Sequence, residues 1–390
     1  MVQRQLFMQR HPRLTLAAVA CVLLLSVLLI FEIALRWIVD SAPGYYTGIE
    51  KASSEVEYPY GTIRFNALGF PDTKFDLSTN VPRVGYVGDS VVFGVGAGFG
   101  YRFTDLVRQR FPSLQHMNFG SIGKSIDDKS IARIESLARR YSLSCVVYAF
   151  NLNDILPTRK KHRGKTPAGL YSIAKSMKQK ADHLLSKSYL YHMARSSLKN
   201  MLLIAGYGHT GMVAYEMYPK RYRAVVADTA QRINRLRQRL DEVNVRLLVL
   251  ILPYEMQISE SAARHYHDLG VSWEDGFLGG TTQQEIIENL QDVNYLNAIF
   301  AFVDPNSPQA GLNDNDLGEF FVFDRGGRLD WNHPNRAGHR QIADFLAASG
   351  AFEDETQLCD LAVSRAKHGR MAGTMDLAHL APLPFGRIGG

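Results

Sequence analysis

Residues 83–100 read RVGYVGDSVVFGVGAGFG, and the interpretation of the whole chain starts there. Val84-Gly85-Tyr86-Val87 is a short apolar run that ends in Gly88-Asp89-Ser90, and glycines follow at 94, 96, 98 and 100. A short apolar run closed by turn residues is the pattern of a buried strand, and FTDLVRQRF (103–111) behind the turn has helical spacing. The same alternation repeats outward. Residues 115–119 form a second short strand ending at GSIGKS, 131–141 a helix, and 144–150 (SCVVYAF) a buried strand running into NLND. After an interruption come an arginine-rich helix at 224–240 and VRLLVLIL (245–252), the clearest central strand, closed by Pro253. Residues 300–303 and 320–323 are further strand candidates, and 336–348 a closing helix. Strands alternating with helices predict an α/β fold, a doubly wound parallel sheet covered on both faces.

Composition sets the outer limits. With 390 residues, 46% hydrophobic and 21% charged, the chain has ordinary globular usage and can bury a full core, which excludes a disordered or fibrous class. Cys21, Cys145 and Cys359 are too few for a disulfide framework, and no CxxC or Cys/His cluster indicates a zinc site. His265, His267 and Asp268 lack further ligands at metal-site spacing, so neither metal nor organic cofactor is expected. The net charge of +6 is concentrated: between Arg159 and Lys199 eleven Lys/Arg face only Asp182, giving that segment +10 and leaving −4 elsewhere.

Residues 14–31, LTLAAVACVLLLSVLLIF, contain no charge and are long enough to span a bilayer as a helix. Arg4, Arg10 and Arg13 precede them without an acid, which by the positive-inside rule leaves the N-terminus in the cytoplasm and the chain beyond Asp40 outside. Glu32 and Arg36 stand one turn apart near the outer end, and Trp37 fits an interfacial anchor. A cleaved signal peptide is the alternative, but the apolar run exceeds the usual signal core and no A-x-A site follows. The expected organisation is a cytoplasmic N-terminus (1–13), a transmembrane helix (14–38), a linker and domain edge (39–82), a domain at 83–354 with a basic insertion at 155–219, and a loosely ordered tail (355–390). In that compartment no nucleic-acid partner is expected. The basic segment instead has three readings: a solvated helical face, a dock on anionic headgroups, or a groove for an acidic polymer.

Three motifs fall where strands end, the usual ligand-binding edge of such a sheet. Ser90 at a strand tip can project its hydroxyl, and its N–H can face a developing oxyanion. Asn153-Asp154 follows a buried strand, and the Asn153 carboxamide can donate to the same oxygen. Asp330-Trp331-Asn332-His333 offers an imidazole with an acid three residues away. A serine hydroxyl is a poor nucleophile without a base, and the base needs a partner to hold its tautomer. Asp89 is expected to order the turn, and Asp154 to hold its own loop.

In this order the motifs resemble the SGNH (GDSL-type) hydrolases, over roughly 83–154 and 224–349. The resemblance implies a flavodoxin-like doubly wound sheet. Its nucleophile block matches Val87-Gly88-Asp89-Ser90, its second block NFGSIGKS with the oxyanion glycine at Gly123 rather than Gly120, its third Asn151-Leu152-Asn153-Asp154, and its last Asp330 and His333. Asn151 replaces the glycine expected in the third block, and the insertion lengthens the third interval. The layout is similar to bacterial membrane-anchored members, which implies an envelope location facing the periplasm or cell exterior. The resemblance thus implies a serine esterase or deacetylase with catalytic Ser90, His333 and Asp330, an oxyanion hole of Ser90, Gly123 and Asn153, and supporting Asp89 and Asp154. Its substrate would be a small ester or an acylated glycan or lipid. An O-acyltransferase fed by a membrane partner and a non-catalytic carbohydrate-binding scaffold are the alternatives.

Overall fold

The computed structural model describes residues 12–38, 55–58, 60–156, 188, 190, 215–302, 316–323 and 330–361. The chain divides into two compact units, 1–47 with 164–198 and 48–163 with 199–390.

In the first unit, helix α1 (Pro12–Ile38) runs without a break. Within it Thr15–Ala34 is 20 residues of mean hydropathy 2.8, long and apolar enough to cross a membrane, a test that a signal sequence also passes. Glu32 is a carboxylate on this otherwise apolar surface. It accepts from the Ser188 hydroxyl at 2.8 Å and from the Leu190 N–H at 3.0 Å. The side chains of Arg36 and Trp37, and all of the basic segment except residues 188 and 190, lie outside the described residues.

The second unit begins with an antiparallel hairpin, β1 (Glu55–Tyr58) and β2 (Gly61–Arg64). Its centre is a parallel sheet of β3 (Arg83–Gly88), β4 (Gln115–Asn118), β5 (Cys145–Asn151), β6 (Arg246–Leu252) and β7 (Asn294–Asn297). The order is β4-β3-β5-β6-β7, the flavodoxin-like arrangement. Helices in chain order are α2 (Ser90–Phe93), α3 (Phe103–Arg110), α4 (Asp128–Tyr141), α5 (Arg223–Asp241), α6 (Glu260–Asp268), α7 (Thr281–Glu288) and α8 (Arg336–Ala348).

The side-chain alternation of β5 sorts the core into two layers. Val146, Tyr148 and Phe150 pack with Ile131, Ile134 and Leu137 of α4 and with Ile233 and Leu236 of α5. Val147 and Ala149 pack on the other face with Phe103 and Val107 of α3 and with Ile342 and Leu346 of α8. Burial of each large aliphatic side chain contributes about 1.5–3 kcal/mol, and strands covered on both faces must be continuously apolar to collect it. That is why SCVVYAF and VRLLVLIL are legible in the sequence.

Two strand expectations are corrected. Of the stretch 300–303, Phe300 and Ala301 belong to a 3-10 turn (Ala298–Ala301) and residue 303 lies outside the described residues, while 320–323 contribute only an isolated bridge between Phe321 and Pro334. Their apolar character serves a ring cluster, with Phe302 lying 5.5 Å from Phe320 and 6.0 Å from Phe321. The fifth strand is instead NYLN at the sheet edge, half-buried and bounded by asparagines, so it carries no apolar run to recognise. The tail is corrected in its first residues: Leu358, Cys359 and Leu361 are buried, and the Cys359 N–H donates to Ala351 O at 2.7 Å. Cys359 is disulfide-bonded to Cys145 at the start of β5, a pairing across 214 residues that the cysteine count did not suggest. Residues 362–390 lie outside the described residues.

Candidate active site

The sheet order reverses between β3 and β5, and the chain therefore leaves neighbouring strand ends in opposite directions, opening a crevice above both. Ser90 stands at this point, immediately after β3. Asp89 caps the one-turn helix α2 by accepting the Val91 N–H at 3.0 Å, and Gly94 closes it with a left-handed φ of 96°. A side chain at Gly88 would sit 2.8 Å from Ala149 O and 2.6 Å from Val92 Cγ2, so only glycine lets the turn approach β5 this closely. The N–H of Ser90, at the first helical position, has no partner within the helix.

His333 arrives from the opposite end of the sequence. Its Nε2 is 2.7 Å from Ser90 Oγ, and its Nδ1 is 2.7 and 2.9 Å from the two Asp330 carboxylate oxygens. An ionised carboxylate only accepts, so Nδ1 carries the proton and Nε2 is left to accept from the serine hydroxyl. Burial pushes the His333 imidazole down, but the Asp330 charge and hydrogen bond, helped by Asp89, outweigh it and hold His333 above its ordinary value. The two arms lock together behind the site. A side chain at Gly96 would collide with the Pro334 carbonyl oxygen, and Arg336 Nε donates to Ala97 O at 3.2 Å.

Of the expected oxyanion donors, Asn153 is exposed in the turn Leu152–Asp154 just beyond β5. Gly123 is exposed, with a left-handed φ of 68°. Gly120 is unavailable because its N–H already donates to Asn118 Oδ1 at 2.9 Å. Asn151 occupies its position without backbone strain (φ −96°, ψ 142°), and its Nδ2 lies 3.4 Å from Asp89 Oδ2, so its side chain turns toward Asp89. Burial raises the Asp89 carboxyl, while the Val91 N–H, His333, and the Asn153 and Ser90 side chains pull against that rise. Asp154 is buried and accepts from the Tyr148 hydroxyl at 2.8 Å; burial, and then Asp89, push it well above the carboxylate range. Among the described residues no group of three or more His, Cys, Asp or Glu is placed to hold a metal ion.

One buried carboxylate next to the site escaped the sequence reading. Glu255 follows β6 in Tyr254-Glu255-Met256, a stretch without motif or charge pattern to single it out, and only the fold brings it behind the Asp330–His333 loop.

No family model matches the chain, and no curated protein matches it. Among solved structures it is similar to a member of the lipolytic protein G-D-S-L family from Veillonella parvula, with 12% identity over 68% of this chain and 95% of that one, at a TM-score of 0.33. It is also similar to Axe2, an acetylxylan esterase from Geobacillus stearothermophilus, with 12% identity over 67% of this chain and 91% of that one, at a TM-score of 0.34. At these values neither likeness carries an argument about activity, and the site geometry has to stand alone.

Proposed function

We propose that this chain is a membrane-anchored serine esterase of the SGNH type, cleaving an ester, such as an O-acetyl group, of an extracytoplasmic glycan or lipid. The observation that carries this reading is the continuous relay Ser90 Oγ–His333 Nε2 at 2.7 Å with Asp330 on Nδ1 at 2.7 Å. Ser90 Oγ attacks the carbonyl carbon and its proton passes to His333 Nε2. The imidazolium is stabilised by Asp330. The tetrahedral oxyanion is met by the N–H groups of Ser90 and Gly123 and the Asn153 amide. Collapse breaks the ester bond, with His333 returning the proton to the leaving alcohol. Water, deprotonated by His333, then attacks the acyl-Ser90 ester, releases the carboxylic acid and restores the hydroxyl.

Two features favour the location. Arg4, Arg10 and Arg13 flank the apolar helix on its N-terminal side, which orients the second unit outward. The Cys145–Cys359 disulfide belongs to an oxidising compartment.

The test is p-nitrophenyl acetate hydrolysis and fluorophosphonate labelling by the detergent-solubilised full chain. Turnover and adduct that both disappear in Ser90→Ala are expected. Absence of Ser90-dependent turnover and of adduct in the wild type would leave a non-catalytic binder. Acylation of an added glycan that outpaces acetate release would replace hydrolysis with transfer.

A further inference from the structure

We infer that Glu255 is a positioning residue for the His333 arm, holding that loop at the distance from Ser90 that catalysis requires; the inference rests on the serine-esterase reading above. His333 lies outside regular secondary structure, between Asp330 and the start of α8, so its placement depends on what fastens this loop. Glu255 fastens it on both flanks. Its N–H donates to Trp331 O at 2.9 Å, two residues before His333. One carboxylate oxygen accepts the Gly318 N–H at 2.6 Å and the other the Tyr266 hydroxyl at 2.8 Å. Gly318 O in turn accepts from Asn335 Nδ2 at 3.0 Å, two residues after His333. Tyr266 extends the hold, with its hydroxyl 3.4 Å from Asp330 O and its ring edge-on to Trp331 at 5.4 Å between centroids.

Glu255 is 1% exposed, and among the described residues no cation is bonded to it. Burial raises its carboxyl to about 7, with Asp330 pushing the same way and the Gly318 N–H and Tyr266 hydroxyl opposing. A buried acid without a counter-charge is costly unless its hydrogen bonds are used. Here both carboxylate bonds lead to one loop, Gly318 by accepting from Asn335 and Tyr266 through Asp330 O and the Trp331 ring. If Glu255 only stabilised the fold, its partners could lie anywhere in the core. Instead each partner is itself bonded to a residue that brackets the imidazole, Gly318 to Asn335 and Tyr266 to Asp330.

The experiment compares wild type, Glu255→Ala, Glu255→Gln and Tyr266→Phe as full chains in detergent, with p-nitrophenyl acetate as substrate and Ser90→Ala as blank. Misplacing a reacting group by about 1 Å costs on the order of 100-fold, so Glu255→Ala should lower kcat about 100-fold with little change in KM. Glu255→Gln keeps an acceptor for the Gly318 N–H and a polar contact for Tyr266, and should recover most of that loss. Tyr266→Phe should fall between them. A second readout does not need turnover: the downfield proton of the His333 Nδ1–Asp330 hydrogen bond, followed by NMR, should persist in Glu255→Gln and be lost in Glu255→Ala. Folded Glu255→Ala that retains this proton signal overturns the positioning role, whether or not the chain hydrolyses the ester. Wild type that shows the signal but no Ser90-dependent turnover sinks the esterase reading instead.

Discussion

His333 and His339 are neighbours in sequence, one in the loop before α8 and the other on that helix, and the fold gives them opposite chemistry. His333 keeps 18% of its side chain exposed and gains a carboxylate, which holds the imidazole above its usual 6.5. His339 is completely buried, stacked on Phe103, and its Nδ1 accepts the Phe103 N–H at 3.1 Å. Burial, and then the Arg102 charge, push His339 down to about 3. Its Nε2 has no hydrogen-bond partner among the described residues. A histidine thus becomes a base or a neutral packing group according to whether it gains an acid or a cation, and sequence spacing does not decide which.

The largest test of that contrast is substitution of each. His333→Gln should lower kcat/KM by about 10⁴, the usual scale for a triad member, measured as p-nitrophenyl acetate hydrolysis above the Ser90→Ala blank. His339→Gln preserves an acceptor for the Phe103 N–H and should leave turnover near wild type. Equal losses would erase the distinction. Because His333 must be neutral to accept the Ser90 proton and its imidazole is raised, wild-type kcat/KM should fall as pH drops through a value above 6.5. An acid limb below that value would contradict the Asp330 pairing.

Next in size is Asn153→Ala, which should lower kcat by about 10²–10³ with modest change in KM, the cost of one oxyanion donor. Loss confined to KM would assign Asn153 to substrate binding alone.

The disulfide sets apart the two ends of β5, one carrying the site and the other stapled. Cys145→Ser with Cys359→Ser should cost about 2–4 kcal/mol in denaturant unfolding, with Ser90-dependent turnover retained in the folded chain. Unchanged stability would mean the bond is not formed in the native protein.

The smallest effects are in the pH dependence of stability. His339 is neutral when folded down to about pH 3, whereas its unfolded value is 6.5, so the unfolded chain binds the extra proton between these limits. The His339 contribution is therefore lost as pH falls below 6.5, by about 2 kcal/mol on reaching pH 5, and the stability of His339→Gln relative to wild type should rise by that amount over the interval. Glu216, raised by burial to about 7, has the opposite sign: the folded chain holds the proton longer, so stability falls as pH rises from 4.5 to about 7. Tm of Glu216→Gln relative to wild type should rise over that interval and then level off.

Much of the fold was legible because its evidence is local. β3, β5 and β6 are buried on both faces and must be apolar throughout, and helices α4, α5 and α8 carry their periodicity openly. β7 was missed because an edge strand needs no such run. Residues 320–323 misled because an apolar ring cluster and a buried strand look alike over four residues. In the site, Ser90, Asn153 and the Asp330–His333 pair were singled out because each sits in a short motif beside a recognisable strand or helix end. Glu255 and the Cys145–Cys359 pairing were invisible, since their partners lie far along the chain.

The sequence alone determined the alternating α/β pattern, the apolar N-terminal helix and the concentration of basic charge, because periodicity, run length and charge are properties of neighbouring residues. The tertiary structure alone decided that Ser90 meets His333, that His339 stays neutral, that Asn151 turns to Asp89 and that Glu255 stands behind the loop. Those are matters of distance and burial between segments 62 to 243 residues apart, and hydrogen bonds and proton affinities follow distance in space, not order along the chain.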